Sequence, residues 1–456
     1  MPPIRILYWN IENFAINKIQ GTLDARERLA YILKHLTRLD ATPDIFVVVE
    51  VETGNAGRGR LVHGQGLAGW DALLGALRRE VHPYDNWMGV PPLQTADVLH
   101  VSEGVAVFYN SSRLAFTGPD IWPGGTGAEP IPGTRKRKAR DSWYPPSCGQ
   151  CLPADRRVPD DALHNPGEPE ASCAARTSFR YADRADPLLR GRRIGFPRQR
   201  SPYMVTFSEI THPERPMPDS FRDLTLFAVH APPNEWFARN YLRTLSNTGE
   251  IVDRLDPREV RIIAGDFNVN LLREEANEHT GAVTLSEDPI FREFRQDSGY
   301  AQQALHLDGL LEDPDNRRRG YFATHMKPRD EAAFWSTHAV RRFYAGYGYV
   351  SHQFRGNLTY SIDNVFTRYG EQAGADPANF TILNGVVGSP YTRHPVPDRV
   401  PAGLLGFPIS MADLEFQDPP ESAWDFAIDL YQRSRAWANY GHIRSTSDHM
   451  ALVIDV

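Results

Sequence analysis

The stretch VRIIAGDFNVN, residues 260–270, decides how the rest of the chain is read. VRIIA reads as a buried strand, and it runs straight into Gly265, Asp266, Phe267 and Asn268. Strands do not normally end by placing a carboxylate and an amide side by side, because both are costly to bury. Taken alone, GDFN also reads as a strand-to-loop turn closed by an Asx cap. What settles the matter is how the other strands end.

IRILYWN (4–10) alternates apolar and polar residues and reads as a strand. Residues 25–39 place Leu29, Ile32, Leu33, Leu36 and Leu39 on one helical face. The continuous Ile-Phe-Val-Val-Val run in PDIFVVVEVE (43–52) fits a strand buried on both faces. A helix over 70–81, a strand over 103–110, a strand over 224–231 and a helix near 235–255 follow. LTYSIDNVFTR (358–368) and the tail of STSDHMALVIDV (445–456) read as the last strands. Apolar strands alternating with helices imply a layered α/β protein.

The strand ends form a set. Asn10 and Glu12 follow ILYW, Glu50 follows FVVV, Glu103 opens GVAVF, and His230 ends TLFAV. Asp266 and Asn268 end RIIAG, Asp363 and Asn364 sit in YSIDNVF, and Asp448 and His449 precede MALVIDV. No serine or cysteine nucleophile stands among them. Carboxylates, amides and two histidines suit hydrolysis of a phosphate ester. Glu50, Asp448 and Asn10 or Asp266 offer the oxygen ligands a hard divalent cation needs. One histidine can take a proton from water and the other can protonate the leaving oxygen, each oriented by a carboxylate.

The ordered series WNIEN, DIFVVVE, EGVAVFYN, FAVHAPPN, GDFNVN, SIDNVFTR and SDHMALVID resembles the endonuclease/exonuclease/phosphatase superfamily, the fold of DNase I. The resemblance runs from Asn10 to His449. It implies a four-layered α/β sandwich of two packed, mostly antiparallel sheets flanked by helices, in one catalytic domain spanning 1–456. It implies Mg²⁺ or Mn²⁺ as cofactor, with Glu50, Asn10 and Asp448 on the metal side. His449 then activates water with Asp363 orienting it, and His230 donates a proton with Glu103 orienting it. Asp266 and Asn268 sit at the phosphate. Arg200, in RSPYMVTF, matches an arginine that contacts the DNA backbone in the DNase branch. Val48-Val49-Glu50 departs from the Leu-Gln-Glu common in the family. The abasic-site repair branch places a tyrosine where this chain has His230, which favours the DNase-like or phosphatase-like branches.

The chain has 456 residues, 41% hydrophobic and 23% charged, the composition of an ordinary globular protein. Length alone favours two or three domains, against the single domain of the resemblance. No apolar run is long enough to span a membrane, and the first residues show no cleaved signal. A cytoplasmic protein, or one exported without a cleaved signal, is expected. Three irregular stretches, at about 119–218, 305–358 and 388–441, read as insertions. Between Arg135 and Arg200 there are 15 Lys/Arg and 8 Asp/Glu, a local +7 in a chain of net −7. That asymmetry, with RKRKAR at 135–140, suggests a polyanionic partner. The bland alternative is a solvated basic loop. Cys148, Cys151, His164 and Cys173 have the donors for a structural Zn²⁺ site; free thiols or a disulfide fit the same residues.

The expected function is a metal-dependent phosphodiesterase on nucleic acid, most of all a DNA endonuclease. The alternatives are a phosphatase or phospholipase on inositol phosphates or sphingomyelin-like substrates, and an inactive phosphate-binding module. An inhibitor or immunity partner is conceivable for an intracellular nuclease, but no residue identifies one.

Overall fold

The computed structural model describes residues 3–37, 42–58, 62–96, 102–116, 164–165, 168–172, 179–182, 184–209, 222–276, 283–306, 324, 362–374, 379–383 and 445–456. Among these, two six-stranded sheets form the body of the protein. The first contains β1 (Arg5–Phe14), β2 (Ile45–Glu52), β3 (Trp87–Gln94), β4 (Glu103–Asn110), β15 (Asn379–Leu383) and β16 (Ala451–Asp455), in the order β15-β16-β1-β2-β4-β3. The second contains β5 (Leu114–Phe116), β8 (Tyr203–Glu209), β9 (Asp223–His230), β10 (Glu259–Asp266), β13 (Ala301–Gln302) and β14 (Asp363–Tyr369), in the order β13-β14-β10-β9-β8-β5. Two hairpins stand apart from them: β6 (His164–Asn165) with β7 (Glu168–Ser172), and β11 (Leu272–Ala276) with β12 (Val283–Glu287).

The two sheets share one plan. Each is centred on a parallel pair, β1 with β2 and β9 with β10, and every other pairing is antiparallel. The C-terminal ends of the parallel strands therefore lie at the same edge as the N-terminal ends of β4, β14 and β16. All the strand-end residues singled out in the sequence map to that edge. β16 pairs with β1, so strands from the two extremes of the chain share a sheet.

Strand alternation explains the layering. Ile6 and Tyr8 of β1, Val47 and Val49 of β2, and Val105 and Val107 of β4 enter the core shared with the second sheet. Leu7, Trp9, Phe46, Val48, Ala106 and Phe108 face the other way, onto α2 (Leu23–Thr37) and α3 (Gly64–Glu80). Beyond the second sheet lie α4 (Glu235–Leu245) and α6 (Pro289–Ser298), whose Tyr241, Leu242, Phe291 and Phe294 complete that core. The result is helices, sheet, sheet, helices. The single turns α1 (Ile16–Ile19) and α5 (Gly249–Val252) link the larger elements. Asn234 caps α4 by accepting from Trp236 N and Phe237 N, and α6 has Asp288 as N-cap, Pro289 in its first turn and Gly299 at φ +73° past its end.

Several expectations shift. The helix expected at 70–81 begins at Gly64, because Gly66 and Gly69 are contact points rather than breakers. A Cβ on Gly66 would lie 1.6 Å from Glu52 O, and one on Gly69 would lie 2.8 Å from the Ala15 carbonyl carbon. The helix expected near 235–255 is two, α4 and α5. β3 and α6 were not expected. β8 belongs to the second sheet although it lies inside the stretch read as a 119–218 insertion, and Phe179, Ile194 and Phe196 of that stretch are buried. Cys148, Cys151, Cys173, the His164 side chain and RKRKAR lie outside the described residues.

Candidate active site

Irregularities in the strands aim the site residues. β2 shifts register between Val48 and Val51, and Glu50 within that bulge has φ +59°. β1 shifts register after Asn10. Bulges of this kind re-aim a side chain at a sheet edge, and positive φ outside glycine is retained where the surroundings hold it. In β10 the critical residue is Gly265. A Cβ there would meet Val229 Cγ2 at 2.1 Å and Val229 O at 2.3 Å. Only glycine lets β10 close onto β9 and bring Asp266 level with His230.

Asp266 is 2% exposed and stands at the centre. Its Oδ2 lies 3.4 Å from His230 Nε2, 3.7 Å from His449 Nε2 and 3.5 Å from Asn10 Nδ2. Each imidazole is pinned on its other nitrogen. His449 Nδ1 lies 2.7 Å from Asp363 Oδ2, and His230 Nδ1 lies 2.9 Å from Glu103 Oε2. Glu50 Oε1 accepts from Asn10 Nδ2 at 3.0 Å and lies 3.5 Å from His230 Nε2. Asp448 Oδ1 is 3.7 Å from His449 Nε2.

The charges shape these groups strongly. Burial alone would drive the His230 imidazole down, but the charge and hydrogen bond of Glu103 outweigh it and raise His230 from 6.5 to about 8. Burial likewise opposes His449, and Asp363, Asp266 and Asp448 together hold it well above the usual histidine range. Asp266 is raised from 3.8 to about 6, by burial first and then by the charge of Asp363. Glu50 is lowered: burial acts upward, and His230, His449 and the Asn10 amide outweigh it.

Two sequence-derived residues take quieter positions. Asn268, at φ +51°, donates from Nδ2 to Ala231 O at 2.8 Å, and its N–H donates to Asp266 Oδ1 at 2.8 Å. The Asx turn expected of GDFN is thus present as well as the carboxylate. Arg200 is 7% exposed, with Nε 3.0 Å from Glu103 Oε1 and Nη1 donating to Ala231 O at 2.7 Å. It extends the His230–Glu103 pair.

The sequence reading missed four supports. The Tyr8 hydroxyl accepts from Asp266 N at 2.8 Å and reaches Val229 O at 3.4 Å. Ser447 Oγ donates to Asn10 O and accepts from His449 N at 2.8 Å. Thr324 Oγ1 accepts from Asp363 N at 3.0 Å. Lys18 Nζ donates to Glu12 O. Tyr8 alone left a sequence signal, since at two residues before Asn10 it shares a strand face with it.

The donor set fits a divalent cation. Among the described residues two groups could hold an ion, Glu50 with Glu103 and His230, and Asp266 with Asp363 and His449, and Asn10 Oδ1 is buried there without a hydrogen-bond partner. A hard ion accepts such oxygens and offsets their mutual repulsion.

No family model and no curated protein matches the chain. Solved structures do. An endonuclease/exonuclease/phosphatase protein from Bacteroides vulgatus is 10% identical, covering 100% of this chain and 98% of its own, at a TM-score of 0.39. The human Nocturnin catalytic domain is 12% identical over 100% and 93%, at 0.37. An AP endonuclease from Archaeoglobus fulgidus is 9% identical over 99% and 98%, at 0.37. At scores this low the matches carry no argument about chemistry; the chain is similar to endonuclease/exonuclease/phosphatase proteins, and its own motifs, sheets and site carry that resemblance.

Proposed function

We propose that the protein is a divalent-metal-dependent phosphoesterase that cleaves phosphodiester bonds in nucleic acid, with DNA endonuclease as the specific form. One observation carries the reading: two imidazoles, each held by a carboxylate at Nδ1, turn Nε2 toward the same Asp266 oxygen, at 3.4 and 3.7 Å. Hydrolysis needs a proton removed on one side of phosphorus and delivered on the other, and paired imidazoles can do both.

His449, steered by Asp363, takes the proton from water at Nε2 in the molecules whose imidazole is neutral, the form that Asp363, Asp266 and Asp448 disfavour. His230, kept protonated near neutral pH by Glu103, delivers one to the leaving oxygen. Glu50, Asn10 and Asp448 would hold the cation, with Asp266 between them and the histidines. The bound cation supplies Lewis acidity to the phosphoryl oxygens and offsets the negative field that raises both imidazoles. Arg200 stiffens Glu103, and through it His230.

The buried position of Arg200 favours a second reading, a phosphatase or phospholipase on small phosphoesters, because the arginine assigned to a DNA backbone is already engaged. Cleavage of supercoiled plasmid separates the two. Nicking that requires Mg²⁺ or Mn²⁺, stops with EDTA and is lost in His449→Ala supports the nuclease. Intact plasmid with release of phosphate or headgroup from small esters supports the second reading. Metal binding with no turnover of any phosphoester overturns both.

A further inference from the structure

Beyond the catalytic groups, the rim of the site carries an aromatic ledge that the chemistry above does not use. Trp236 is 66% exposed, a large apolar surface left in water on the first turn of α4. Its ring meets Phe237 edge-on at 4.9 Å between centroids, and the Arg198 guanidinium lies over Phe237 at 4.3 Å. The contact ties together two segments that both lead into the catalytic edge. Arg198 stands two residues before Arg200, which holds Glu103, and Trp236 stands six residues after His230. Arg200 and Asn268 both donate to Ala231 O, fixing the corner from which the chain reaches α4.

Arg198 is exposed beside the ledge, and Glu235, next to Trp236, is paired with Arg239. Flat π surface interleaved with guanidinium groups is the arrangement that holds a single-stranded nucleic acid: bases stack on the rings and phosphates follow the charges. A base paired in the interior of a helix hides both its faces, so along a strand a base lies on Trp236 only when it is unpaired.

We infer that Trp236, with Phe237 and Arg198 behind it, is a stacking subsite for one unpaired base of a polyanionic strand, placed beside the catalytic edge. The inference rests on the nucleic-acid reading above and narrows it to unpaired or locally opened strands.

The test is binding rather than cleavage. Anisotropy of a dye-labelled dT12 strand is followed in EDTA, so the readout survives even where plasmid nicking has failed. Trp236→Ala is expected to weaken binding about 5- to 150-fold, with Trp236→Phe recovering most of it. On a 12-mer of the same charge carrying abasic sugars, the loss caused by Trp236→Ala is expected to shrink several-fold. Arg198→Ala should weaken both strands and flatten the salt dependence. Absence of dT12 binding by the parent protein, an equal loss on both strands, or blunt duplex bound as tightly as dT12 would each overturn the subsite. Plasmid nicking with an unchanged Kd in Trp236→Ala would overturn the subsite and leave the nuclease standing.

Discussion

Tyr8 shows how much the site depends on groups that take no part in the proposed chemistry. Its hydroxyl supplies an acceptor for the Asp266 N–H at the point where β10 leaves the sheet. Buried beneath Asp363 and Asp266, the phenol is raised well above its usual range, by burial first, so it stays a neutral donor and acceptor. Tyr8→Phe keeps the ring and removes the oxygen, leaving a buried N–H unpaired. The expected cost is about 1–3 kcal/mol by urea denaturation. Turnover should also fall roughly tenfold, because the carboxylate between the histidines loses its fixed position. A variant with parental stability would show that the N–H finds another partner and that Tyr8 is packing alone.

The elements depend on close approach at a few points, and Gly265 is the most demanding. Its hydrogen faces Val229, where a methyl group would overlap both Cγ2 and the carbonyl oxygen. Gly265→Ala must push β10 away from β9 within the parallel pair that aligns Asp266 with His230. We expect a loss of about 3 kcal/mol in denaturant unfolding and a large fall in turnover, since overpacking against backbone has little room to relax. Gly265→Ala combined with Val229→Ala relieves the Cγ2 overlap but not the overlap with Val229 O, so it should restore only part of the stability. The same contacts explain what was legible in the sequence. Strands buried on both faces, such as FVVV and RIIA, stand out by composition, and the polar residue ending each was visible because it breaks that run. α3 was shortened in the reading because Gly64, Gly66 and Gly69 look like helix breakers until the neighbouring strand is known. β3 was missed because Pro91 and Pro92 interrupt it, and its pairing with β4 shifts register there. β8 lies among Pro- and Arg-rich residues that hide its periodicity, and only the resemblance of RSPYMVTF marked it. Thr324 and Ser447 were invisible because their roles lie in backbone groups of residues distant in sequence.

At the scale of the whole molecule, the sandwich gathers the carboxylates of Glu50, Glu103, Asp266, Asp363 and Asp448 at a shared edge of its two sheets, and this must register in global stability. Without metal, Asp266 is raised from 3.8 to about 6 and His230 from 6.5 to about 8, so the folded state holds protons that the unfolded chain releases. A group whose folded pKa lies above its unfolded value stabilises below the unfolded pKa and loses that contribution as pH rises through the folded one. The Asp266 contribution is therefore lost between about pH 4 and 6, and that of His230 between about 6.5 and 8. Urea unfolding of the metal-free protein should accordingly show parent stability falling relative to Asp266→Asn by about 3 kcal/mol as pH rises from 4 to 7. A cation that binds only the folded protein stabilises it in proportion to RT ln(1 + [M]/Kd) and competes with those protons. Saturating Mg²⁺ or Mn²⁺ should then raise Tm more at pH 8 than at pH 5.5 in the parent, and less in Glu50→Gln. A metal effect independent of pH and unchanged by Glu50→Gln would place the cation elsewhere and remove the basis for assigning it to this edge.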